Sequence, residues 1–259
     1  KSTLEETRTQ RFIDISKRGL LPVPVRYYAA HTGRWGGDDK INLQNLPSRG
    51  VNGKKLKRSI IPPVGHTIID ADSSQIEARV LAWLAGQDDL TNAFAKGEDV
   101  YKKMASRIYG VAESDVTKDQ RFVGKTTILG AGYGMGAQKF QDQLNTFGFQ
   151  LELGEARRVI KIYRETNYNI NKLWREAQQT LPLLHAPPRD SKVSLGCHDA
   201  LTIEDGKIRL PSGLYIRYED LRFDQTDKGV EFHYKTRRGR TRIYGGKIIE
   251  NVCQAIARC

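Results

Sequence analysis

The chain has 259 residues, 39% of them hydrophobic, which is enough for one large domain or two smaller units around a real core. Its 42 Lys plus Arg against 30 Asp plus Glu give a formal charge of +12, which favours a polyanionic partner, nucleic acid before an anionic membrane surface. No apolar run approaches the roughly 20 residues of a bilayer span, no signal-peptide core is visible, and Cys197, Cys253 and Cys259 show no Cys-x-x-Cys spacing, so a soluble chain in a reducing, intracellular compartment is expected.

In chain order, the charged segment Ser2 to Lys17 reads as a helix, followed by a loop-rich stretch with Pro22, Pro24, Pro47, Pro62 and Pro63. The first residue is Lys, as expected of a piece of a longer chain or a processed product. "HTIIDAD" alternates like a strand, which would put Asp70 and Asp72 on one face. Ser74-x-x-Glu77 then has the form of a capping box, ahead of a helix with the apolar stripe Ile76, Val80, Trp83 and Leu84. From about 75 to 186 the pattern is helical, with breaks at Gly86, Gly97, Gly110, Gly148 and Gly154. Beyond 190, "KIRLPSGLYIRYEDLRF", "GVEFHYKTRR" and "RTRIYGGK" read as strands joined by turns, and "IIENVCQAIA" as a short helix.

Three stretches invite chemistry. Two acids at a strand end beside a helix start suit a hard cation, although two exposed strand acids followed by a cap explain them as well. In "RFVGKTTILGAGYG", Thr117-x-x-Gln120 is a second capping box, and Arg121, Lys125 and Leu129 spread over about 80° of the helix that follows. Two cations one turn apart can meet a triphosphate, or simply form a solvated face. "HTGRWGGDDKINLQNLP" joins side-chain amides and one Arg in a turn-rich loop, donors that suit phosphates and minor-groove acceptors.

Together, in this order, these stretches resemble the family A DNA polymerases, the bacterial DNA polymerase I and related phage enzymes, over nearly the whole chain. "TGRWGGDDKINLQNLP" resembles the template-primer loop, "DADSSQIEAR" motif A, "RFVGKTTILGAGYG" motif B, and "YGGKIIENVCQAIAR" the return into the palm; the flavour is phage. The resemblance implies an α+β right-hand fold, with an incomplete antiparallel palm sheet and mainly helical fingers. Residues 1–79 would be the thumb base and first palm segment, 80–189 the fingers, and 190–259 the returning palm. The implied function is template-directed addition of dNTPs to a primer 3′-OH, with primer-template DNA and dNTPs as partners and two Mg²⁺ ions as cofactor, in the cytoplasm, that of a host cell if phage-encoded.

Residue by residue, the resemblance gives Asp72 and Lys125 to catalysis, and Asp72 with the Ser73 carbonyl to the metals. Gln75, Glu77, Tyr101, Arg121, Lys125, Leu129 and Tyr133 would border the nucleotide. Among them Glu77 is the steric gate against a ribose 2′-OH, Arg121 and Lys125 grip the triphosphate, and Tyr133 lies by the nascent base pair. Arg34, Asn42, Gln44, Asn45 and Gln254 would face primer and template. Leu129 stands where the family usually has Phe or Tyr, and Tyr101 of "EDVYKKM" where a phosphate-contacting His is common. The His-Asp of motif C should follow Gln254, and the chain ends at Cys259. "CHDA", Cys197 to Ala200, is on the wrong side in family order and reads as an exposed loop.

The chain alone is therefore expected to be inactive, needing a C-terminal fragment that carries the second aspartate. Cys259 stands where related sequences continue with Asp, and looks like the first residue of an intein, with truncation or a split gene as alternatives. A single-subunit RNA polymerase relative and an inert nucleic-acid-binding remnant are the rival functions. The basic stretches "GKKLKR" and "KTRRGRTR" read either as solvated tips or as tracks for duplex phosphates.

Overall fold

The computed structural model describes residues 2–46, 50–69, 71–227, 229–237 and 239–258, and the chain divides into two compact units, Lys1–Ser74 and Gln75–Cys259. In the first, α1 (Ser2–Ser16) is tied to the following loop by Arg11, which pairs with the Asp39 carboxylate at 2.6 Å and donates to the Asp39 carbonyl. Two-residue antiparallel strands, β1 (Val25–Arg26) and β2 (Gly36–Gly37), flank the loop that carries Arg34. The side chain of Asn42 accepts from the Asn45 N–H at 3.3 Å and caps the turn Leu43–Asn45; α2 (Gly50–Arg58) comes next.

Two local expectations fail around motif A. Residues 66–69 and 71–73 pair with no strand among the described residues, and Ile69 is 86% exposed; Asp70 lies outside the described residues. Alternation gives only a preference, whereas a strand needs a neighbour to supply its ladder. The helix after it, α3 (Ile76–Ala85), starts from Gln75, a left-handed residue with φ 57° and no side-chain cap bond, so Ser74 is not its N-cap.

The second unit continues with α4 (Asp88–Ala95), α5 (Val100–Tyr109), α6 (Lys118–Ala131), α7 (Ala137–Thr146), α8 (Leu153–Thr166), α9 (Tyr168–Gln179) and the short α10 (Leu181–His185). Gly86 and Gly110 end their helices as left-handed caps, but Gly154 lies inside the first turn of α8 and breaks nothing. The expected stripe on α3 is also displaced. Ala78, Leu81, Ala82, Leu84 and Ala85 are buried, while Ile76 and Trp83 stay partly exposed, because the alanines let α3 lie close against α9 and α11 (Gly245–Ala257).

A four-stranded antiparallel meander, β3 (Lys192–Leu195), β4 (Leu201–Glu204), β5 (Lys207–Arg209) and β6 (Tyr215–Arg217), is followed by a three-stranded one, β7 (Arg222–Thr226), β8 (Gly229–Thr236) and β9 (Gly239–Ile243). "CHDA" is the loop between β3 and β4, where exposed His198 stacks on Trp83 at 5.2 Å and Asp199 accepts from the Ser194 hydroxyl at 3.0 Å. The helices and the inner faces of the sheets share one core, which includes Leu84, Phe140, Tyr163, Ile170, Ile208 and Ile248. No helix among the described residues is long and apolar enough to cross a membrane.

Candidate functional site

The site is built on α6. Thr117 and Gln120 form the reciprocal capping box that the sequence announces, at 3.0 and 3.2 Å, and fix where the helix begins. Val123, Gly124, Thr126, Thr127, Ile128 and Ala131 are buried, which leaves Arg121, Lys125 and Leu129 on the open face. Gly124 is required for this: a Cβ there would run into the Tyr101 carbonyl, so only glycine lets α6 lie this close to α5.

Tyr101 is 5% exposed and lies under both cations, with the Arg121 guanidinium 5.3 Å and the Lys125 ammonium 5.8 Å from its ring centre. These are cation–π distances. Asp99 performs two tasks. Its Oδ1 accepts from the Tyr101 and Lys102 N–H groups at 3.1 Å and caps α5, while its Oδ2 accepts from Arg121 Nε at 2.7 Å. Burial raises the Asp99 carboxyl, but the Arg121 hydrogen bond, the two N–H donors and the guanidinium charge outweigh it and hold the group below its ordinary value. Burial also pushes the Tyr101 phenol up, with the Arg121 charge and a hydrogen bond to Gln75 opposing, so the ring stays neutral. Gln75, Tyr101, Asp99, Arg121 and Lys125 thus form one connected cluster.

Tyr133 anchors a second cluster at the end of α6. A Cβ on Gly246, in the first turn of α11, would sit 2.7 Å from the Tyr133 carbonyl oxygen, and the Trp174 indole donates to the Gly132 carbonyl at 3.0 Å. Burial drives the Tyr133 phenol far above its ordinary value, and Cys253, Glu77 and Glu250 add to the rise. Glu77, half-buried in the first turn of α3, is thus close enough for its charge to act on the Tyr133 phenol. Gln254 donates to Glu250 at 3.4 Å, and Lys247 to the same oxygen at 2.8 Å. The Cys253 thiol is buried and pushed up by that burial first, then by Glu77 and Glu250, which leaves it a core group and not a nucleophile.

In the first unit, Arg34, Gln44 and Asn45 are exposed and Asn42 half-buried, with Tyr27 and Trp35 edge to face at 5.7 Å in the same loop region. Asp72 and Ser73 are exposed, and no group of three metal-ligating side chains occurs among the described residues.

The DNA polymerase family A model matches residues 4–182. The chain belongs to that family. It is 35% identical over 164 residues to the DNA polymerase I of Pseudomonas aeruginosa, covering 62% of this chain and 17% of that one. The DNA polymerase of Bacillus phage SP02 is 29% identical over 280 aligned positions, covering 93% of this chain and 42% of the phage protein. Among solved structures, the POL domain of Pol1 from M. smegmatis, in complex with DNA primer-template and dNTP, superposes with a TM-score of 0.56 at 22% identity, over 90% of this chain and 33% of that one. The α+β fold is thus the fold of a family member's polymerase domain, and the chain spans less than half the length of these relatives.

The family match takes in every expected site residue except Gln254. Asp99 and Glu250 were not among the residues singled out from the sequence. Asp99 is visible there as an N-cap ahead of Tyr101 and Lys102, but its bond to Arg121 joins residues 22 apart. Glu250 has no sequence signal beyond its spacing of three from Lys247 and four from Gln254 on one helix.

Proposed function

We propose that this chain is the palm and fingers part of a DNA-directed DNA polymerase that adds deoxynucleotides to a primer 3′-OH, with 1–79 as thumb base and first palm segment, 80–189 as fingers and 190–259 as the returning palm segment. One observation carries the reading: α6 presents Arg121 and Lys125 on its open face, both over the Tyr101 ring, with Asp99 fixing the first. A rigid pair of cations one turn apart matches a triphosphate, and Lys125 beside the departing pyrophosphate steadies the charge that builds on it. Leu129 continues that face towards sugar and base, Tyr133 borders the nascent pair, and Glu77 beside it blocks a 2′-OH. Arg34, Asn42, Gln44, Asn45 and Gln254 position primer and template.

Magnesium, when bound, activates the 3′-OH and neutralises phosphate charge. The exposed Asp72 carboxylate and the Ser73 carbonyl are the hard oxygen donors such an ion takes. The reading asks a partner segment or chain for the second aspartate.

The test is primer extension in an assembly supplied with that partner. Asp72→Ala should lower the rate a hundredfold or more with duplex binding retained, as loss of an essential charge stabiliser does; retention of more than about a tenth of the rate rejects the assignment. Glu77→Ala should admit ribonucleotides with a smaller effect on deoxynucleotides, because it removes a clash. Equal loss of both substrates would make Glu77 structural.

A further inference from the structure

The three-stranded sheet β7-β8-β9 has one face that the nucleotide site does not use. Its register pairs Phe223 with Phe232 and Phe232 with Ile243, and the last two are buried against the core, so this side anchors the sheet. Side chains alternate, and the opposite face therefore carries Arg222, Asp224, Glu231, His233, Lys235, Arg240 and Arg242. Thr226, at the end of β7, shares that face, and these seven are all ionisable.

Their order along the sheet is not random. Asp224 stands opposite Glu231 at one end, Arg222, His233 and Arg242 form a row across all three strands, and Lys235 stands opposite Arg240 at the other end. Like charges directly opposite on neighbouring strands destabilise a sheet, so the Lys235–Arg240 pair is not there to hold the hairpin together, whereas Asp224 lies diagonally across from His233, 3.2 Å from its Nδ1, and Glu231 diagonally across from Arg242. The acids answer only part of the positive charge. Arg242 pairs with Glu231 at 2.9 Å, Arg222 with Asp220 at 2.8 Å, and Arg240 also with Asp220, yet the three arginine side chains remain 58%, 66% and 40% exposed.

Strand spacing of about 4.8 Å makes the row about 10 Å wide, and the Lys235–Arg240 pair lies about 7 Å further along the strands. A compact anion could touch only one corner of this array. A linear polyanion can follow it. An anionic bilayer is a poor fit, because surface-binding elements set apolar side chains beside their cations and this face has none.

We infer that this face is a nucleic-acid contact surface that holds the phosphate backbone of duplex DNA through Lys235, Arg240 and the Arg222/Arg242 row. The inference rests on the polymerase reading above and extends it to a sheet remote in sequence from every residue assigned there except Gln254. The anchored apolar side keeps the cations at fixed spacing, so little side-chain order is lost on binding.

The experiment measures binding of the 259-residue chain to a fluorescent duplex over a series of salt concentrations, and to phosphatidylserine vesicles in parallel. Lys235→Gln/Arg240→Gln should weaken duplex binding and reduce the slope of log affinity against log salt by roughly one to two units, since each phosphate contact contributes about 0.9. Lys235→Arg/Arg240→Lys should restore the slope. Asp224→Asn, on the exposed acidic end, should strengthen binding, a change of sign that misfolding cannot produce. If the double Gln variant keeps the wild-type slope, or loses vesicle binding alone, the inference is overturned while the polymerase reading stands. A wild-type chain that binds no duplex at any salt concentration defeats the polymerase reading and this surface with it.

Discussion

Asp99 shows how one carboxylate can link local structure to chemistry. Its Oδ1 starts α5 and its Oδ2 holds Arg121, so Asp99→Asn should keep most of the cap, which Asn supplies equally well, and lose the charge that orients the guanidinium. Triphosphate binding should weaken while the helix survives, with dNTP titration and far-ultraviolet circular dichroism as the two readouts. The pH dependence has a definite sign. Because the folded carboxyl is held below its ordinary value of 3.8, its stabilisation is fully present above that value and is lost as pH falls through the lower folded one. The melting-temperature gap between wild type and Asp99→Asn should therefore be constant at neutral pH and close only below about pH 4; a gap that closes near pH 6 would mean another group is titrating. At Tyr101 the ring and the hydroxyl separate cleanly. Tyr101→Phe should leave triphosphate affinity nearly unchanged and cost about 1 kcal/mol of stability through the lost Gln75 bond, whereas Tyr101→Leu should weaken affinity by removing the surface under Arg121 and Lys125. Equal affinities for the two variants would exclude the cation–π role.

Among the elements, α6 was legible and motif A was not, and the difference is physical. Thr117 and Gln120 bond within one turn, so the sequence contains everything the cap needs. The alternation of Ile68, Asp70 and Asp72 specifies a strand only if a neighbour completes it, and that information lies elsewhere in the fold. On α3 the expected stripe holds at Leu84 but not at Ile76 and Trp83, and Ala78, Leu81, Ala82 and Ala85 pack beside Leu84, the alanines because close helix approach favours small side chains. β3 and β4 escaped because each is four residues long and they are joined by a loop with left-handed residues at His198 and Asp199. The close α5–α6 approach gives the element-scale prediction. Gly124→Ala forces a methyl against the Tyr101 carbonyl, and overpacking of this kind costs about 1–3 kcal/mol. It should also displace Tyr101 and lower triphosphate affinity. Gly136→Ala, where a Cβ would meet nothing within 4 Å, is the matched control and should change stability by less than about 0.5 kcal/mol. Equal melting temperatures for the two variants would mean that α5 and α6 are free to separate.

For the whole molecule, the division after residue 74 sorts the expected roles. The Gln75–Cys259 unit holds the entire buried cluster that runs from Ala78 to Ala255, and with it Gln75, Glu77, Asp99, Tyr101, Arg121, Lys125, Leu129 and Tyr133. The Lys1–Ser74 unit holds Asp72, Ser73 and the exposed Arg34, Gln44 and Asn45. On the proposed reading, the residues assigned to nucleotide grip and sugar selection sit on the core of the second unit, while the proposed metal carboxylate and most of the proposed DNA contacts belong to the first. A chain cut to residues 75–259 should therefore fold with a cooperative melt, since a domain with its own core does so. Its dNTP affinity should stay within about 1 kcal/mol of that of the full chain, a factor of roughly five. Its duplex binding should fall, with a smaller salt slope, because the first unit's cations are gone. Loss of dNTP affinity in a well-folded 75–259 chain would show that the first unit contributes to the triphosphate site, and Arg121 and Lys125 would then be only part of that site.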